Sequence, residues 1–142
     1  MVTVAVPKDA LPTVAGFRPE LMSEPLDRPL AELLKGMTVL AIGPGLGTAE
    51  ETVRFVKQVY QEAGLPTVVD ADGLNALAGA LPQTTKVRIL TPHPGEMGRL
   101  IGKSAKEVQA DRLQVSQDLA QRSGATIVLK GCLLYTSPSP RD

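Results

Sequence analysis

The chain has one cysteine, no net charge and no long apolar run, and each shortage removes a class of function. A single cysteine among 142 residues builds no disulfide framework, so a reducing, cytoplasmic setting is the default. Fifteen basic residues against fifteen acidic ones leave no basic footprint for nucleic acid and no polybasic face for a membrane. No stretch approaches the roughly 18 apolar residues of a membrane span. Residues 1–7 lack the basic-then-apolar order of a signal peptide. A chain of this length is one domain's worth or a piece of a larger one. At ~150 residues it can bury about 70% of its unfolded surface.

What is there is an alternation of strand and helix signals. Residues 2–6 form a β-rich run closed by Pro7. Residues 8–15 read as a short helix interrupted at Pro12, residues 17–26 as an irregular connection, and residues 28–34 as a helix stopped by Gly36. Residues 38–42 are almost continuously apolar, the signature of a strand buried on both faces. Thr48 and Glu51 have capping-box spacing for a helix through Ala63, ended by Gly64 in the left-handed C-terminal role. Residues 66–69 and 87–90 are further buried strands, separated by a short Ala/Leu helix to Leu81. The corner that follows opens a helix to about Ile101. Ser104 and Glu107 begin one long helix with Val108, Val115 and Leu119 along one side. Gly124 stops it, and residues 125–129 are the last strand. The pattern predicts a three-layer α/β domain with a mainly parallel sheet.

Four unusual clusters follow four of these strands: Gly43-Pro44-Gly45-Leu46-Gly47, Asp70-Ala71-Asp72-Gly73-Leu74-Asn75, Thr91-Pro92-His93-Pro94-Gly95-Glu96, and Lys130-Gly131. In a parallel sheet the carboxyl ends of the strands share one edge, where open α/β sheets bind ligands. The glycines serve a tight turn or let backbone N–H groups approach a phosphate or sugar. The segment is a near miss for the dinucleotide fingerprint, with Asp70 where a ribose-binding acid would sit, but the third glycine falls at Thr48, which leaves the signal weak and disfavours a Rossmann oxidoreductase. Asp70, at a strand tip, is placed to order a polar ligand or Mg²⁺-bound water. Asp72 is read either as a ligand-facing residue or as an Asx-turn cap, with Asn75 one turn on as its support. The only histidine stands between two prolines, so Thr91 and His93 are both expected to be extended, with Pro94 opening a helix. His93 there either caps the helix or presents an imidazole, kept neutral by the dipole, to a ligand. Glu96 complements the dipole or supports the histidine. Lys130 suits a nucleotide phosphate, or simply closes a strand in solvent.

Taken in order, these four clusters closely resemble the ADP-dependent NAD(P)H-hydrate dehydratases, and the run from Val2 to Pro7 with Arg18-Pro19-Glu20-Leu21-Met22 is similar as well. The resemblance covers the chain to Gly131. It implies a ribokinase-like α/β/α fold and an enzyme that removes water from the 6S hydrate of NADH or NADPH while ADP, or ATP in its place, loses a phosphoryl group with Mg²⁺. By this resemblance Gly43, Gly45 and His93 contact the hydrated nicotinamide cofactor. Lys130 and Gly131 begin the adenine-nucleotide segment, and Asp70, Asp72, Asn75 and Glu96 shape the cleft between them. The family's catalytic aspartate lies in a Gly-Thr-Gly-Asp motif, and that string does not occur here, so no catalytic residue is assigned and residues 1–131 are expected to be an inactive part of the domain, truncated at both ends. The family also implies a homo-oligomer, a tetramer, and an epimerase as fused or separate partner.

Residues 132–142 change character abruptly and resemble translated sequencing adapter, so they are expected to be a non-native tail. Two further readings stand beside the dehydratase. One is a vitamin-precursor kinase of the ribokinase superfamily, and the other is a non-catalytic nucleotide-binding module.

Overall fold

The structure is a computed structural model, and it describes residues 2–18, 20–131 and, for the backbone, 135–137. The rest of the 132–142 string lies outside the described residues. The chain divides into two compact units, residues 1–37 and 38–142.

In the first unit, strand β1 (Val2–Val6) and strand β2 (Leu21–Pro25) pair in parallel, with Val2 opposite Leu21 and Val6 opposite Pro25. Helix α1 (Leu11–Ala15) connects them, and helix α2 (Leu30–Leu33) follows. Two expectations are corrected. Pro12 does not interrupt α1: it sits in the first turn, where a missing N–H leaves no bond unmade. The connection expected at 17–26 contains β2, because Pro25 stands at the strand's last position, where a lost donor does least harm. Helix α2 is also shorter than residues 28–34, since Pro29 becomes its N-cap.

The second unit holds the sheet. Strands β3 (Leu40–Ile42), β4 (Thr67–Val69), β5 (Arg88–Leu90) and β6 (Thr126–Leu129) lie side by side in chain order, all parallel. Strand β7 (Tyr135–Ser137) pairs antiparallel with β6 at the edge. Ile42 stands opposite Val69, Val69 opposite Leu90, and Leu90 opposite Ile127, so β3, β4 and β5 end together and β6 runs on past them to Leu129 at the same edge. Their crossovers carry helix α3 (Glu50–Glu62), helix α4 (Asp72–Leu77), and helices α5 (Pro94–Ile101), α6 (Ala105–Ala110) and α7 (Arg112–Ser123). Right-handed crossovers between strands laid down in one direction put all these helices on one face. The burial agrees: Thr67, Val69, Arg88, Leu90, Ile127 and Leu129 are fully covered, while Val68, Ile89 and Val128 on the other face are half-buried. The described unit therefore supplies the sheet and one helical layer of the three expected, and its strands are not buried equally on both faces.

Cap chemistry explains where the helices depart from expectation. Helix α3 has Ala49 as its N-cap with no side-chain bond, so Thr48 and Glu51 form no capping box. Gly47, at φ 75° with its N–H held by Asp72, delays the helix start to Glu50. At the other end Gly64 is not left-handed. The terminal carbonyls of α3 are instead taken by two cations at the start of β5: Arg88 donates to Tyr60 and Ala63 (2.9 and 2.6 Å), and Lys86, just before the strand, to Gln61 and Glu62 (2.6 and 2.8 Å). Arg88 is 1% exposed, and burial pulls its pKa below the ordinary arginine value, with Tyr60 acting weakly against this. The long helix expected after Ser104 is two helices. Asp111, at φ −148° and ψ 69°, breaks it and caps α7 by accepting the Gln114 N–H at 3.1 Å. The Ser104–Glu107 capping box and the left-handed stop at Gly124 (φ 71°) are both present, and Val108, Val115 and Leu119 are all buried.

Candidate active site

The carboxyl ends of the parallel strands bring the four clusters to one edge of the sheet. After β3, Pro44 and Gly45 turn the chain back, with the Leu46 N–H donating to the Gly43 carbonyl at 3.2 Å and Gly45 at φ 75°. This is the type II turn that Pro-Gly favours. Gly43 is required for packing, because a Cβ there would stand 1.7 Å from the Asp70 carbonyl oxygen. Nothing lies within 4 Å of a Cβ at Gly45 or Gly47, so the loop's tip faces open space.

After β4 the chain makes a second tight turn, closed by the Gly73 N–H on the Asp70 carbonyl at 3.0 Å. Ala71 takes φ 49° and ψ −121° in it, the only non-glycine with positive φ among the described residues. That conformation suits glycine at the first corner of a type II′ turn and costs an alanine about 1–3 kcal/mol. The strain aims Asp70 and Asp72 in different directions. Asp70 turns to Lys130, whose ammonium lies 2.5 Å from Oδ1, with the two side chains 32% and 38% exposed respectively. Burial alone would raise the Asp70 pKa. Hydrogen bonds from Lys130, the Ala71 N–H and Thr91, with the lysine's charge, outweigh it and hold the carboxyl below its ordinary range. Asp72 turns to the glycine loop and accepts the Gly47 N–H at 2.9 Å. It is thus a cross-link between clusters and not an Asx-turn cap. Asn75 donates to Asp72 at 3.4 Å.

After β5, His93 caps α5. Its Nδ1 accepts from the N–H groups of Gly95 (3.0 Å) and Glu96 (3.4 Å), while the buried Glu96 carboxylate accepts the His93 N–H at 2.8 Å. His93 is extended, at φ −80° and ψ 168°, as the flanking prolines require. With Nδ1 accepting, the ring proton sits on Nε2, 3.4 Å from Glu96. The imidazole is half exposed, and its described bonds stay within its own corner. After β6, the Lys130 N–H donates to the Pro92 carbonyl at 2.8 Å, which ties the fourth cluster to the third. Gly131, at φ 152°, lies against the Arg112 guanidinium, which also donates to the Leu129 and Lys130 carbonyls (3.0 and 3.1 Å).

The geometry therefore joins Gly43, Asp70 and Lys130 directly, joins Gly47, Asp72 and Asn75 in a second string, and leaves the His93 ring facing the same edge without touching either. Three contributors escaped the sequence. Ala71 carries no glycine to betray its turn. Arg99, whose Nε donates to Asn75 at 2.8 Å, reads in sequence as an ordinary last-turn arginine. Arg112 looks like a solvated helix residue. Among the described residues no group of three or more His, Cys, Asp or Glu could hold a metal ion, and no helix is long and apolar enough to cross a membrane. Two open clefts of about 290 and 510 Å³ lie along α5 and α7, away from the four clusters.

A model of the NAD(P)H-hydrate dehydratase family matches residues 1–133. The bifunctional NAD(P)H-hydrate repair enzyme Nnr of Coxiella burnetii is 45% identical over 133 residues, spanning 92% of this chain and 27% of its own length. The ADP-dependent (S)-NAD(P)H-hydrate dehydratase of Neisseria meningitidis is 39% identical over 134 residues, spanning 87% of this chain and 44% of its own length. The chain thus spans less than half the length of either curated relative. Among solved structures, the ADP/ATP-dependent NAD(P)H-hydrate dehydratase from Bacillus subtilis, co-crystallised with ATP/Mg²⁺ and soaked with CoA, matches with a TM-score of 0.78 at 30% identity, over 98% of this chain and 51% of that one. A ribokinase-like superfamily protein of Enterococcus faecalis shares the fold, with a TM-score of 0.79 at 22% identity.

Proposed function

This chain belongs to the NAD(P)H-hydrate dehydratase family, and we propose that it forms the substrate-facing part of an enzyme that dehydrates the 6S hydrate of NADH or NADPH at the expense of ADP. The observation that carries this reading is the convergence of four strand-end clusters on one edge, cross-linked by the Lys130–Asp70 pair and the Gly47–Asp72 bond. The chemistry needs two partners side by side. Hydroxide leaves poorly, so the terminal phosphoryl group of ADP passes to the hydroxyl, releasing AMP. The C–O bond then breaks with phosphate as leaving group, pushed by the ring nitrogen's electron pair, and loss of a proton from the adjacent ring carbon returns that pair to nitrogen and leaves the new C=C bond.

In this reading Gly43 and Gly45 shape the loop that receives the hydrated nicotinamide, and Gly45's open side supports that role. His93 contributes the Nε2 side of its ring as a donor. It is not the base, because the Nδ1 lone pair is engaged by two backbone N–H groups. Lys130 offers a cation to the nucleotide phosphates, held in place by Asp70, with Gly131 giving backbone clearance beside it. Asp72, Asn75 and Glu96 fix the loop and the corner. A Mg²⁺ ion accompanying the nucleotide would need only one or two protein carboxylates beside the phosphates, and Asp70 at its strand tip is placed to order its water. The bifunctional relatives support a whole protein with a second repair activity.

Kinetics of the complete protein separate these roles. His93→Asn removes the imidazole while asparagine keeps the helix cap, so KM for the hydrate rises about tenfold with that for ADP unmoved. Lys130→Ala raises KM for ADP instead. Equal effects on both substrates, or the reverse assignment, would sink the reading.

A further inference from the structure

Arg99 belongs to none of the four clusters, and its place in the last turn of α5 suits a cation that complements the helix dipole. Its side chain does something else. It runs back toward the start of the helix, with Nη1 3.9 Å from the point where a Cβ on Gly95 would stand, and Nε donates to Asn75 Oδ1 at 2.8 Å. An arginine has only donors, so it selects the orientation of the asparagine amide facing it. With Oδ1 turned to Arg99, Nδ2 must face Asp72, whose Oδ1 lies 3.4 Å away. The other Asp72 oxygen accepts the Gly47 N–H at 2.9 Å. Donor and acceptor alternate from α5 through α4 to the glycine loop. Flipping the amide would set donor against donor at Arg99 and oxygen against carboxylate at Asp72.

We propose that Arg99 is a positioning residue: by fixing the Asn75 amide it holds Asp72 on the Gly47 N–H and keeps the 43–47 loop in the shape that receives the hydrated nicotinamide. The inference rests on the assignment of that loop to the substrate given above. It has three consequences. Losing Arg99 frees the amide to rotate, weakens the Asp72–Gly47 bond and loosens the loop. The nucleotide side, built on the Lys130–Asp70 pair, shares no side-chain hydrogen bond with this string among the described residues. And because Arg99 acts only through Asn75, removing both costs no more than removing Asn75 alone.

The test uses Arg99→Gln, Arg99→Lys, Asn75→Ala and the double variant Arg99→Gln/Asn75→Ala in the complete protein. Arg99→Gln is expected to raise KM for the hydrate about threefold to tenfold, the range that one hydrogen bond's net worth supplies, with kcat and KM for ADP unchanged. Arg99→Lys recovers part of the loss, and the double variant matches Asn75→Ala. Backbone amide exchange at residues 45–48 rises in Arg99→Gln, a readout independent of turnover. Multiplying losses in the double variant, equal shifts in both KM values, or unaltered exchange at the loop would each overturn the role of Arg99. If the unmodified protein turns over no hydrate, the dehydratase reading fails first, and the exchange measurement still decides whether Arg99 holds the loop.

Discussion

At the scale of single residues, the glycines that look alike in sequence do different work. A side chain on Gly43 would overlap the Asp70 carbonyl, and both atoms belong to backbone that cannot move aside. Gly43→Ala is therefore expected to destabilise the complete protein by about 3 kcal/mol or more. Gly45→Ala meets only the penalty of φ 75°, about 1–2 kcal/mol. Unfolding in urea distinguishes them, and equal losses would contradict the packing at Gly43. Asp70 makes a prediction about pH. Its folded pKa lies below the ordinary 3.8, so the unfolded chain binds the proton more readily. The Lys130 pair accordingly contributes in full above about pH 4 and is lost as pH falls through the lower folded value. Asp70→Asn should flatten that acid limb of the stability curve, and an unchanged limb would mean the pair contributes nothing to folding. The sequence showed which residue types gather here. It did not show Ala71, because a strained alanine leaves no compositional mark, nor Arg99 and Arg112, whose partners lie 24 and 17–18 residues away.

At the scale of elements, the legible features were those whose chemistry is local. The Ser104–Glu107 box, the His93 corner and the Gly124 stop all follow from residues within a turn of one another. What failed was decided at a distance. Thr48 lost its capping role because Asp72, 25 residues beyond Gly47, holds the Gly47 N–H. Gly64 lost its own because Lys86 and Arg88 reach the carbonyls that a left-handed glycine would have served. Strand β2 was hidden by Pro25, which the strand tolerates at its last position. The buried Arg88 is the clearest test at this scale. Arg88→Met keeps the volume but strips buried carbonyls of their donors, at an expected cost of about 3 kcal/mol. Arg88→Lys should recover only part, since an ammonium lacks the guanidinium fork. A neutral Arg88→Met variant in thermal unfolding would show that α3 needs no such cap.

At the scale of the molecule, four parallel strands whose carboxyl ends share one edge bring scattered motifs together, and a parallel reading of the sequence implies the same placement. The second unit gives the sheet and one helical layer, and the chain covers 27% and 44% of two curated relatives, so the proposed activity is tested on the complete protein. The central claim is that this edge serves dehydration and not simple phosphorylation, although the fold is shared with a ribokinase-like superfamily protein. The most direct measurement incubates the complete protein with the 6S hydrate of NADH and ADP, following the reduced nicotinamide together with AMP and phosphate. The account predicts NADH, AMP and phosphate rising in equal amounts. A phosphorylated product that accumulates while NADH does not return would contradict it.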